Sequence, residues 1–235
     1  MKQHYFIVFL FMIGISSCNT SGDSKKANEK GPKNGLIHTY NEDGSISASI
    51  HYTNGIRNGL ATDYYTDGKI RAEINYVQGL KQGQAKWYHK NGKVYRSTEY
   101  MSDLREGRQR KYYEDGTLMS EIQFHQNHPG IGLKEYNKYG QERKSKPEFI
   151  FGELIPQDDG SFTMEVRLNN KVKEVSFYQG MLKKGGYLHD DLVAINKTAN
   201  SAFISFPKGK KQVDIAAKYK TRYKNYRVII GKASI

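Results

Sequence analysis

Hydrophobic and polar residues alternate through the middle of this chain, and the alternation breaks at even intervals. Ile70, Ala72, Ile74 and Tyr76 point one way, while Lys69, Arg71, Glu73 and Asn75 point the other. Ile46, Ala48, Ile50 and Tyr52 follow the same rhythm, as do Leu118, Ser120, Ile122 and Phe124. A period of two predicts half-buried β-strands. Asp43-Gly44, Asp67-Gly68, Asn91-Gly92 and Asp115-Gly116 precede these runs and supply the positive φ of tight turns. A shorter strand carrying a tyrosine leads into each turn, and Asn54-Gly55 or Gln78-Gly79 leads into the next unit. Each unit is therefore expected to be one β-hairpin.

The units keep a 24-residue phase without an insertion or deletion. Gly35, Gly59, Gly83 and Gly107 form one series, and Tyr40, Tyr64, Tyr88, Tyr112 and Tyr136 a second. Gly44, Gly68, Gly92, Gly116 and Gly140 form a third, and Tyr52, Tyr76, Tyr100 and Phe124 a fourth. A single hairpin is marginal in water, so such units must stack to share a buried face. The predicted fold is all-β: an elongated antiparallel sheet of about ten strands, built from five hairpins over residues 35–147. After Pro147 the phase stops. Apolar runs at Phe149–Ile155, Phe162–Leu168, Val172–Tyr178, Leu192–Ile195, Ala202–Phe206, Val213–Tyr219 and Tyr226–Ile230 predict about seven short strands. A small β-sandwich-like domain over 148–235, immunoglobulin-like by strand count, is one reading. Continuation of the repeats in eroded form is its rival.

The segment Tyr64-Tyr65-Thr66-Asp67-Gly68-Lys69-Ile70, with Glu73, Tyr76, Gly79, Lys81 and Gly83, resembles the MORN repeat in its bacterial variant. The resemblance covers residues 35 to about 146. Asp103 and Asn127 stand where the second turn of a unit carries glycine, and both tolerate left-handed backbone. The fifth unit has Ile131 at its leading position and Glu142 where an apolar residue belongs, which predicts a degenerate cap. The resemblance implies a binding or scaffolding surface for protein, glycan or lipid headgroups, and no catalytic residues. Because this variant is grouped with YwqK-type antitoxins, it also implies an alternative, an antitoxin or immunity protein that neutralises a toxin by direct binding.

The amino terminus reads as an address. Lys2 precedes eleven mostly apolar residues from Tyr5 to Ile15, the length of a signal-peptide core and too short to span a bilayer. Ile15-Ser16-Ser17-Cys18 resembles the lipobox of bacterial lipoproteins; the rival is an ordinary secretory signal with an incidental cysteine. The resemblance implies cleavage after residue 17, acylation of Cys18 and a lipid anchor in the bacterial envelope. Asn19 in place of aspartate implies the outer membrane, on its periplasmic or surface face. Residues 18–34, polar and almost without apolar side chains, are expected to form a flexible tether.

Composition sharpens two points. Leu, Ile, Val and Phe make up about a fifth of the chain, close to the level of disordered sequences. Eighteen tyrosines and 23 glycines are the compensating excess, since tyrosine buries area while its hydroxyl stays wet. A single cysteine excludes a disulfide framework and a multi-thiolate zinc site. The formal charge is +13, concentrated at the carboxy terminus. Lys208, Lys210, Lys211, Lys218, Lys220, Arg222, Lys224 and Arg227, interleaved with Tyr219, Tyr223 and Tyr226, form a candidate basic patch. An envelope location argues against nucleic acid and for an anionic surface or acidic partner; a solvated charged face is the plainer reading. No nucleophile elbow, phosphate loop or paired carboxylates appear, so the chain reads as a non-enzyme with no cofactor and no metal. His125 with His128, and His189 with Asp190, read as polar turns. Trp87, the one tryptophan, with Tyr65, His89 and Tyr113, is the candidate ligand strip on an exposed sheet face; most phased tyrosines read as packing.

Overall fold

The computed structural model describes residues 33–235 apart from 145, 170, 171, 183–185, 191, 196 and 199. The signal segment, Cys18 and the tether up to residue 32 lie outside them. Among the described residues the chain is all-β. Strands β1 (Gly35–Tyr40), β2 (Ile46–Thr53), β3 (Ile56–Tyr64), β4 (Ile70–Val77), β5 (Leu80–Lys81), β6 (Gly83–Tyr88), β7 (Val94–Met101), β8 (Leu104–Tyr112), β9 (Leu118–His125), β10 (His128–Pro129) and β11 (Lys134–Glu135) form one antiparallel sheet. Their order along it follows the sequence, as hairpin stacking requires, with β5 against β4 and β11 against β9.

Each Asp/Asn-Gly turn closes the same way. In the second unit Tyr65 N donates to Lys69 O (2.8 Å) and Gly68 N to Tyr65 O (3.0 Å), with Gly68 at φ +79°. The residue before the glycine accepts the next backbone N–H but one: Asp67 Oδ1 takes Lys69 N, and Asp115 Oδ1 takes Thr117 N. These bonds, preceded at Asp43 by that from the Ser45 hydroxyl, favour the ionised carboxylate and hold Asp43, Asp67 and Asp115 below the ordinary aspartate range. The second turn of the first four units puts two consecutive residues in left-handed backbone, as at Ser102 (φ 50°) and Asp103 (φ 69°). Asp103 and Asn127 replace glycine there and use the side chain to reach back one hairpin. Their Oδ1 atoms accept Lys81 N and Arg105 N, each at 2.9 Å.

The aromatic series is covered by charge rather than by aliphatic side chains. Lys33, Arg57, Lys81 and Arg105, again 24 apart, lie over the rings of Tyr52, Tyr76, Tyr100 and Phe124 at 5.2, 4.9, 5.3 and 4.1 Å. Cation–π contacts of this kind contribute about 0.5–1 kcal/mol each at exposed sites. Alanines fill the space between: Ala61, Ala72 and Ala85 are buried. The one cluster of buried apolar residues among the described repeats is Ile122, Phe124 and Leu133.

Beyond the repeats, β12 (Phe149–Pro156), β13 (Phe162–Leu168), β14 (Lys173–Gln179), β15 (Val193–Ala194), β16 (Lys197–Thr198), β17 (Ser201–Phe206), β18 (Gln212–Lys220) and β19 (Tyr226–Ser234) form two four-stranded sheets. The orders are β12-β13-β17-β16 and β15-β14-β18-β19. Lettered along the chain, these are A-B-E-D and C′-C-F-G, the pairing of immunoglobulin-type sandwiches. Inward-facing Val166, Ile204 and Phe206 of one sheet meet Val175, Phe177, Ile215 and Ile229 of the other in a single core. The turn Gln157–Ser161 repeats the bonding of the hairpin turns, with Gly160 at φ +78°, so turn chemistry continues where the 24-residue phase does not.

The fifth unit departs from the expected hairpin. Only β10 and β11, two residues each, pair with β9. Ile131 N bonds Gly186 O at 2.9 Å, and Gly130 bridges Tyr187. The residues that break the phase are those that join the sandwich. Pro32–Ile235 accordingly form one compact unit.

Candidate functional site

One position carries a different residue in every unit: Thr39, Asp63, Trp87, Lys111 and Glu135, at successive 24-residue steps. Cross-strand pairing sets Asp63 opposite Ala72, Ala72 opposite Trp87, Trp87 opposite Arg96, and Arg96 opposite Lys111. Lys111 and Glu135 then both face Ser120. These side chains therefore form a row across one face of the sheet, ending at the sandwich. There Glu135, 6% exposed, accepts Thr221 Oγ1 at 2.6 Å and Asn225 Nδ2 at 2.8 Å through Oε1. Its Oε2 pairs with Arg227 Nη2 at 3.3 Å. Lys111 Nζ lies 3.4 Å from the carbonyls of Tyr223 and Lys224. Burial, then repulsion from Arg96, pushes the Lys111 ammonium down to about 8.

These bonds hold the β18–β19 turn, Thr221–Asn225, against the last repeats. Thr221 N donates to Asn225 O (2.8 Å) and Lys224 N to Thr221 O (3.0 Å), the bonding of the hairpin turns again. Lys224 stands where those turns have glycine and keeps the left-handed backbone at φ 56°. An L-residue there costs about 1–2 kcal/mol.

Beside this turn lies a cleft of about 730 Å³ whose lining includes Arg143, Glu174, Tyr219, Arg222, Tyr223 and Lys224, together with Glu135, Lys220 and Arg227. Its two carboxylates are already engaged, Glu135 with Arg227 and Glu174 with Lys220 (2.7 Å). Arg143, Arg222 and Lys224 have no carboxylate partner among the described residues. The Arg143 guanidinium lies 5.4 Å from the Tyr223 ring, whose edge meets Tyr113 at 6.3 Å. The cleft presents an uncompensated cationic rim around aromatic rings, a surface for anionic groups.

The predicted basic patch is split by the fold. Lys220, Arg222, Lys224 and Arg227 gather at the cleft. Lys208, Lys210 and Lys211 sit at the β17–β18 turn, the opposite end of the nine-residue β18, some 27 Å away at the usual strand rise. Lys218 lies between the rings of Tyr178 (5.8 Å) and Tyr226 (5.7 Å).

The predicted ligand strip does not form one exposed surface. Tyr65 Oη donates to Tyr88 O (2.6 Å), His89 Nε2 sits 3.0 Å from Tyr112 O, and Tyr113 Oη donates to Tyr136 O (2.8 Å). All three are half-buried and tie each turn to the next unit. Trp87 is also half-buried, on the face of Ala85, with the Arg96 guanidinium 3.7 Å from its ring centre. His125 and His128 pair with different carboxylates, Glu106 (2.9 Å) and Asp190 (3.4 Å). No group of three or more metal-ligating side chains occurs among the described residues. Sequence reasoning missed Arg143 and the Lys111–Glu135–Arg227 chain. The position that carries Lys111 and Glu135, different in every unit, was the available signal.

The model of the MORN repeat variant matches residues 57–78, 81–101 and 105–126, three successive hairpins. No curated protein matches the chain. Among solved structures, one similar chain is from the crystal structure of a GtfA/B complex bound to UDP and GlcNAc, at 18% identity and a TM-score of 0.21. The likeness covers 48% of this chain and 22% of that one, and at this level carries no argument. The three matched hairpins are similar to MORN repeats of the variant type, and repeats of this kind suggest a binding or scaffolding role.

Proposed function

We propose that this protein is a non-enzymatic, lipid-anchored binding protein of the bacterial envelope, and that the cleft beside the β18–β19 turn receives an acidic segment of another envelope protein. The observation that carries the reading is the imbalance at the cleft: Arg143, Arg222 and Lys224 face it without a carboxylate, while Glu135 and Glu174 are consumed by Arg227 and Lys220. The left-handed Lys224 adds support, because backbone strain concentrates at functional positions. The lipobox-like Ile15-Ser16-Ser17-Cys18 supports the anchor.

Capture from detergent-solubilised membranes tests the binding reading. The full-length chain should retain an acidic protein that the Arg143→Glu/Arg222→Glu variant releases at low ionic strength. Equal capture by both chains rejects the cleft, and retention of an anionic glycan in place of protein rejects the partner class. The anchor is tested separately: Cys18→Ala should abolish acylation and membrane partitioning, and unchanged partitioning rejects it.

A further inference from the structure

We infer that β1 is a pairing edge through which two copies of this chain join antiparallel, continuing one sheet across both. The repeat sheet has two ends. One runs through β10 and β11 into the junction with the sandwich. The other is β1, which pairs only with β2 among the described residues. An edge strand presents a row of unpaired N–H and C=O groups, and proteins ordinarily blunt such edges with charge, proline or a bulge. Here the pattern is reversed. At the positions equivalent to 35–40 the internal strands are charged: β3 carries Asp63, β6 carries Lys86, and β8 carries Arg108, Arg110 and Lys111. The edge strand, Gly-Leu-Ile-His-Thr-Tyr, carries no Asp, Glu, Lys or Arg and is rich in strand formers. Its large apolar side chains are open, Leu36 at 47% and Tyr40 at 61% exposure.

The edge is complementary to itself, which selects a second copy as its occupant. In an isologous antiparallel pair the twofold axis stands perpendicular to the sheet, and the central residue meets its own copy. Centring on His38 sets Leu36 against Tyr40 and Ile37 against Thr39 of the second copy. It also brings Lys33 alongside the Glu42–Asp43 turn, at both ends of the pair. Each exposed aliphatic meets an exposed aromatic, and each cation meets an acidic turn. A one-residue slip is excluded, because it would oppose side chains from different faces of the sheet.

Two differently tagged full-length copies, co-expressed, test this directly. Wild-type copies should co-purify, His38→Lys copies should lose each other, and so should His38→Glu copies. His38→Lys with His38→Glu should restore the pair, an outcome that damage to the fold cannot produce. Under oxidation His38→Cys should give a disulfide-linked dimer, whereas the control Tyr139→Cys, 75% exposed in the wild type, should not. Failure of wild-type copies to co-purify overturns the inference, as does linkage at 38 no stronger than at 139. An edge covered instead by residues 19–32 or by another protein gives that same negative result. The Arg143→Glu/Arg222→Glu variant should pair normally, which separates this surface from the cleft.

Discussion

Glu135 and Arg227 lie 92 residues apart in sequence, yet their side chains pair at 3.3 Å with only 7% and 12% of their surface exposed. One belongs to the last repeat and the other to the final strand of the sandwich. Removing one partner of a buried pair strands the other charge and costs about 3–5 kcal/mol. Glu135→Ala is therefore expected to destabilise the chain by about 3 kcal/mol, read as a lower denaturant midpoint. Glu135→Gln, which keeps an acceptor for Thr221 and Asn225, should cost less.

The bonds from Tyr65 to Tyr88 and from Tyr113 to Tyr136 are equivalent, and arise in the second and fourth units. Tyr65→Phe and Tyr113→Phe should each cost about 1 kcal/mol, the usual net value of a protein hydrogen bond. Being two units apart, they should add within error in the double variant. Marked non-additivity would show that the ladder acts as one unit.

Lys224→Gly relieves a left-handed lysine. Set against the added freedom of glycine in the unfolded chain, stability should stay level or rise by up to about 1 kcal/mol. Capture of the acidic partner should fall. A stabilised variant with full binding would mean that Lys224 is not part of the recognition surface.

Alkaline titration has a defined sign. Lys111 has its ammonium pushed down to about 8 from 10.5, so its contribution is fully present above 10.5 and is lost as pH falls toward 8. Tyr88, Tyr113 and Tyr219 are pushed up to about 12, chiefly by burial. Their contribution is full below 10 and is lost as pH rises toward 12. Thermal midpoints should therefore climb from pH 8 to about 10 and then fall. Lys111→Met, which leaves no buried ammonium, should flatten the climb and leave the fall.

The repeats were legible because turn geometry is local. Gly44, Gly68, Gly92 and Gly116 occupy a left-handed position that most residues resist, so their spacing states the hairpin length directly. Seven of the eight C-terminal strands were legible by their apolar runs to within a few residues, from Phe162–Leu168 to Tyr226–Ile230, while the two-residue β16 had no apolar run to mark it. What the residues could not disclose was what lies against what. Arg57 over Tyr76 and Tyr113 under Tyr136 depend on strand stagger, which alternation alone leaves open. Tyr65 and His89 looked like free aromatic surface because their carbonyl partners sit 23 residues away. Arg143 was invisible as a site residue, since only docking of the sandwich brings it beside Tyr223.

The way the units are tied together has a mechanical consequence. Every link between hairpins runs from one to its immediate neighbour, through the ladder bonds, the cation–aromatic contacts and the back-reaching Asp103 and Asn127. A pull applied at residue 33 loads these links one unit at a time, in peeling rather than in shear. Such a sheet yields stepwise at modest force from β1 inward, each released unit adding about 24 residues of slack. The far end, clamped by Glu135, yields last, leaving the cleft intact while the first hairpins extend.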